Sequence, residues 1–129
     1  MAFRFIRENA LGGGMKQQTI KLNKEFKRLY YRGAYQAGQG LVVYAMRNRY
    51  GVNRTGITTG KKVGCAVKRS RARRVIRAAY AQLADSLPQG YDFVFVARAQ
   101  TPEMKSNQLA GQMERQIASV LSRLAEKKR

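Results

Sequence analysis

Residues 61–80 constrain this chain more than any other stretch. Lys61, Lys62, Lys68, Arg69, Arg71, Arg73, Arg74 and Arg77 lie within it, and no acid does. At roughly 100° per residue from Arg69 onward, Arg69, Arg73 and Arg77 stack on one side of a helix with Arg74 beside them. Ala72, Val75, Ile76, Ala79 and Leu83 gather on the other side. The stretch therefore reads as an amphipathic helix whose polar face is almost wholly cationic. Like charges four residues apart destabilise an isolated helix by about 0.2–0.5 kcal/mol per pair. Such a helix needs its apolar stripe packed and a polyanion outside. A merely solvated face usually mixes signs, and this one does not.

The rest of the composition agrees. Lys and Arg number 26 against 7 acids, a net charge of +19 in 129 residues. That length suits one domain with a modest core. Self-repulsion of this size disfavours the compact state unless an anion offsets it. Nucleic acid is the first candidate partner and an anionic membrane surface the second. No apolar run reaches the roughly 18 residues a membrane-spanning helix needs. Cys65 is the only cysteine, which excludes an intrachain disulfide and suits a reducing cytoplasm. It is expected to be a small packed residue near a helix start. Residues 1–14 end in three glycines before Met15. They are expected to be a disordered leader or a scar of expression, with residues 15–129 forming one domain.

Along the chain, Asn23 is placed to cap a short helix over residues 24–32, closed by Gly33. Phe26, Leu29 and Tyr30 share one face of it, a spacing that usually means core. Residues 41–49 alternate as a strand, with Val42, Tyr44 and Met46 on one face and Leu41, Val43 and Ala45 on the other. Both faces are apolar, so both should be covered, one of them by a ligand. Residues 50–53 read as a turn and 54–62 as a weaker strand leading into the basic helix, which runs to about Asp85. Pro88-Gln89-Gly90 makes a turn, and residues 91–99 form a strand buried on both faces. Thr101, Pro102 and Glu103 carry the start signals of a last helix. Its apolar stripe is Leu109, Met113, Ile117, Val120, Leu121 and Leu124, and residues 126–129 are a frayed end. The order is α-β-β-α-β-α, an α+β fold.

Hydrolytic chemistry finds little support. The chain has no His, hence no imidazole base. Glu8, Glu25, Asp85, Asp92, Glu103, Glu114 and Glu126 are scattered, with no Asp-x-Asp pair to hold Mg²⁺. No catalytic residue and no metal ligand is expected in the protein.

The ordered pattern Lys-Lys-Val-Gly-x-Ala-Val-x-Arg-x-Arg-x-Arg-Arg-x-x-Arg over residues 61–77 resembles the signature of the bacterial ribonuclease P protein subunit. Arg69, Arg71, Arg73 and Arg74 match its core, while Ser70 stands where that family usually has Asn and Ala78 where it often has Glu. Asn-Lys-Glu-Phe-x-x-x-Tyr-x-x-Gly at 23–33 is similar to the family's first helix, and Tyr44, Gly90, Asp92 and Arg98 fall on its strand positions. Thr19 departs from a basic residue common there. The resemblance covers about residues 19–125. It implies an α/β sandwich related to a ribosomal-protein domain, with the basic helix in a left-handed crossover, where the general rule would favour a right-handed one. It also implies a protein that joins a catalytic RNA to remove the 5′ leader of precursor tRNA. The RNA would be catalytic, and Mg²⁺ would act in the assembled ribonucleoprotein. On this resemblance Lys61, Lys62, Arg69, Ser70, Arg71, Arg73, Arg74 and Arg77 bind ribonuclease P RNA, Arg forks suiting phosphate. Phe26, Tyr30 and Tyr44 offer stacking surfaces to the single-stranded precursor tRNA leader. The expected place is the bacterial cytoplasm, with no membrane and no DNA partner. Two other classes remain: a ribosomal or ribosome-associated RNA-binding protein, and a basic DNA-binding module, which would lack helix-turn-helix spacing before the basic helix.

Overall fold

A computed structural model describes residues 2–5, 18–20 and 23–127. Its elements are strands β1 (Ala2–Phe5) and β2 (Gln18–Thr19), helix α1 (Asn23–Arg32), strands β3 (Ala34–Ala37), β4 (Leu41–Arg47) and β5 (Arg54–Thr59), helix α2 (Ala66–Leu83), strand β6 (Tyr91–Ala97) and helix α3 (Ser106–Lys127). One mixed sheet runs in the order β1-β5-β6-β4-β3, with β2 parallel to β5 off that path. Strands β5 and β6 are parallel neighbours, so α2 is the crossover between them. Strand β6 is antiparallel to β4, and β4 to β3.

Period-two alternation sorts the sheet into two faces. Leu41, Val43 and Ala45 of β4 pair with Ala97, Phe95 and Phe93 of β6. These six residues join Ile57, Ala72, Ile76, Ala79, Tyr80, Leu83, Leu109, Met113, Ile117 and Val120 in the main core. Helices α2 and α3 thus cover one face. On the other, Val94 packs with Ile20, Phe26 and Leu29, flanked by Tyr30, Tyr44, Met46 and Val96. Helix α1 covers that face only in part.

Gly33 ends α1 through a close approach. A Cβ there would lie 2.6 Å from the Leu29 carbonyl oxygen and 2.8 Å from that of Ala45. The helix begins at Asn23 itself, and the capping role expected of its side chain falls outside the described side chains, as does Thr19.

Several boundaries differ from the sequence reading. Residues 61–63 form a 3₁₀ turn, so Lys61 and Lys62 lie beyond β5. The start signals at Thr101 serve another 3₁₀ turn, Thr101–Glu103, and α3 begins only at Ser106. The Thr101 hydroxyl is committed elsewhere: it accepts from the Arg98 amide at 2.8 Å and donates to the Gly40 carbonyl. Residues 2–5, set aside as part of a disordered leader, pair antiparallel with β5 from Ala2↔Thr59 to Phe5↔Gly56. The remainder of 1–14 falls outside the described residues. Strand β3 was not anticipated, because Ala34–Ala37 is short and sits between glycines.

Candidate nucleic-acid interface

Helix α2 begins after Gly64, whose φ of +126° suits glycine and whose Cβ would meet the Lys68 side chain at 2.8 Å. The apolar stripe behaves as its spacing predicts: Ala72, Ile76, Ala79 and Leu83 are buried, and Tyr80 joins them. Lys61, Lys62, Lys68, Arg71, Arg74 and Arg77 are exposed, whereas Arg69, Ser70 and Arg73 are half-buried. Arg73 is not a simple outward charge. Its guanidinium donates to Thr59 Oγ1 at 3.2 Å and to Ser70 Oγ at 3.0 Å, so it ties α2 to the end of β5. Ser70 spends its hydroxyl on that fork.

Cys65 precedes the first residue of α2 and is exposed, not packed as expected. The backbone amides of Lys68, then of Val67, hold its thiol below the ordinary cysteine range, as a helix N-terminus does for a thiolate.

The opposite face of the sheet carries an aromatic groove. Tyr30 from α1 meets Tyr44 edge-on at 4.9 Å between centroids, and Tyr35 of β3 stacks on Tyr44 at 5.5 Å. Cross-strand pairing of Tyr35 with Tyr44 makes this possible. Tyr35 is 54% exposed, while Tyr30 and Tyr44 are half-buried. The Tyr30 hydroxyl bonds Thr58 Oγ1 at 2.9 Å. Burial, foremost, raises its pKa, which keeps it a neutral hydroxyl. Phe26 is corrected here. It is fully buried, its ring against Gly56, where a Cβ would lie 2.6 Å away. It presents no surface to a base and is core, as its helical spacing alone implied. Tyr35 was missed, because only the β3–β4 register brings it to Tyr44.

The groove and the basic helix meet at one place. Thr58 receives Tyr30 on one face of β5, and Thr59 receives Arg73 on the other. One cation of α2, Arg73, and one ring of α1, Tyr30, are therefore anchored to consecutive residues.

Among the later positions, Asp92 is buried and structural. Its carboxylate accepts both arms of Arg54 at 2.8 and 2.7 Å and the Asn48 amide at 2.8 Å. Glu25 meets the same guanidinium at 2.9 Å. Two carboxylates thus converge on an arginine, and among the described residues no three His, Cys, Asp or Glu side chains gather as a metal site would require. Arg98 donates to the Gly38 carbonyl at 2.9 Å, bracing the β3–β4 turn. No helix among the described residues is long and apolar enough to cross a membrane.

Comparison with known proteins gives one answer. Residues 15–121 match the family model described as Ribonuclease P. A ribonuclease P protein component of Caldanaerobacter subterraneus is 39% identical over 103 residues, covering 78% of this chain and 89% of its own. One of Clostridium botulinum (strain Loch Maree / Type A3) is 44% identical over 85 residues, 65% of this chain and 77% of its own. The structure of the Staphylococcus aureus RNase P protein superposes with a TM-score of 0.67 at 32% identity, covering 79% of this chain and 95% of that one.

Proposed function

The chain belongs to the ribonuclease P protein family, and from that premise we propose that it serves as the protein component of ribonuclease P, holding the catalytic RNA on α2 and the 5′ leader of precursor tRNA in the tyrosine groove. These relatives lend the ribosomal alternative no support. The observation that carries the reading is the junction on β5, where Thr58 holds Tyr30 and Thr59 holds Arg73. A structured RNA on the basic helix and a single strand in the groove would then lie on either side of one strand end.

The proposed contributions follow from the side chains. Lys61, Lys62, Arg69, Arg71, Arg74 and Arg77 neutralise phosphates, and half-buried Arg73 fixes the helix that presents them. Tyr30, Tyr35 and Tyr44 stack on leader bases, an interaction worth about 1–3 kcal/mol per base and tolerant of sequence. Tolerance suits leaders that differ between tRNAs. Phe26 supports the groove from beneath. Cleavage belongs to the RNA with its Mg²⁺: the protein lacks His, and Glu25 and Asp92 are bound to Arg54. The reading puts this work in the bacterial cytoplasm.

The test is reconstitution. Purified protein with Mg²⁺ should leave precursor tRNA intact, and adding a bacterial ribonuclease P RNA should give mature 5′ ends. Replacing Tyr30, Tyr35 and Tyr44 by Leu should spare RNA binding but weaken the preference for long leaders over absent ones. Cleavage by contaminant-free protein alone would overturn the division of labour, and an unchanged leader preference would overturn the groove.

A further inference from the structure

The turn between β4 and β5 belongs to neither surface described above. With Glu25 and Arg28 of α1 and Met46 of β4, residues 47–50 line a cavity of about 440 Å³. Its floor is rigid, because Arg54 is held there by Asp92 and Glu25. Its wall is rigid too. Asn48 donates to the Val52 carbonyl at 3.0 Å and accepts from the Tyr50 amide at 2.9 Å.

Tyr50 is the feature that asks for an explanation. Its ring lies on the Arg54 guanidinium, 4.3 Å from the centroid, yet the residue is 56% exposed. A large ring fixed on one face and open on the other is a platform. Around it stand Arg28, Arg47 and Arg49, all exposed, and among the described residues none of them is paired with a carboxylate. Arg47 is steadied by the Tyr91 ring, 5.7 Å below. A planar π-surface ringed by unpaired guanidinium groups fits a base with its phosphate. A duplex cannot offer a base face to a concave pocket, so the strand must be single. The pocket also continues the groove: Tyr44 and Met46 follow on one face of β4, and both pack, with Tyr30, against the same buried cluster of Ile20, Phe26, Leu29 and Val94.

We propose that this pocket is a second nucleotide subsite for single-stranded RNA, seating one base on Tyr50 and its phosphate among Arg28, Arg47 and Arg49. It takes the same leader strand at a point beyond the three tyrosines, and so rests on the leader reading above.

Two measurements test it. In the reconstituted ribonucleoprotein, precursor tRNAs with leaders lengthened one nucleotide at a time should gain affinity in two steps. Tyr50→Ala, and separately Arg47→Gln with Arg49→Gln, should remove only the later step, about fivefold or more for a single stacked base. Binding of the RNA subunit and of short-leader substrate should not change. Equal loss at every leader length, or none, overturns the subsite. Independently, adenosine 5′-monophosphate titrated into the protein alone should shift the NMR amide signals of residues 47–50 further than inorganic phosphate at equal concentration does, an additional shift due to the base. Tyr50→Ala should abolish that shift. Equal response to phosphate overturns a nucleotide site. If wild type is indifferent to leader length while the monophosphate still binds at Tyr50, the leader reading fails and the nucleotide pocket stands.

Discussion

Depth decides what an aromatic side chain does, and spacing does not report depth. Phe26 and Tyr30 share a face of α1, yet Phe26 has no exposure and Tyr30 is only half-buried. Phe26 sinks because Gly56 lies opposite and offers no Cβ. Phe26→Ala should therefore destabilise by about 3–5 kcal/mol in urea unfolding, while Tyr35→Leu, at an exposed edge, should stay within about 0.5 kcal/mol. Similar losses for the two would erase the distinction between core and groove. Cys65 gives a second residue-scale expectation. Amides at the start of α2 favour its thiolate, so folding lowers its pKa. The stabilisation is present above the unfolded pKa and fades as pH falls through the folded one. Alkylation rates followed against pH should show a lower midpoint in native protein than in urea-unfolded protein, and coincident midpoints would refute this.

At the scale of elements, α2 shows what periodicity can and cannot say. Its stripe of Ala72, Ile76, Ala79 and Leu83 is buried as the helical repeat demands. Which arginines are available outside depends on neighbours. Arg73 is engaged by Thr59 and Ser70, whereas Arg71, Arg74 and Arg77 project into solvent. Changing these three to Gln keeps helix propensity and should weaken binding to ribonuclease P RNA. The slope of log affinity against log salt should fall by roughly 0.7–0.9 per lost phosphate contact. An unchanged slope would mean that this face does not meet phosphate. Helix α3 teaches the converse lesson. Thr101 and Pro102 form a valid start signal, but the Thr101 hydroxyl is drawn to Gly40, 61 residues earlier in the chain. A local rule loses when a distant carbonyl competes for the same group.

For the molecule as a whole, charge is the governing quantity. At +19 the folded state gathers like charges on α2 and around the β4–β5 turn. Any anion that binds only the folded form stabilises it by mass action. Thermal melts in sulfate should therefore show a higher midpoint than melts in chloride at matched ionic strength. Equal midpoints would argue against discrete anion sites.

The sequence by itself determined the α+β class, the two faces of β4, the buried stripe of the basic helix and the concentration of positive charge. Each is written in local periodicity or in composition, which need no knowledge of distant partners. The ordered basic motif also carried the family resemblance that residues 15–121 bear out. The tertiary structure alone decided that Asp92 and Glu25 close on Arg54, that Tyr35 stacks on Tyr44, that Phe26 is fully buried while Tyr30 on the same helix face is not, and that Tyr50 rests on Arg54. The physical reason is common to all four. Each depends on strand register or on what covers a face, and side-chain spacing within one element contains neither.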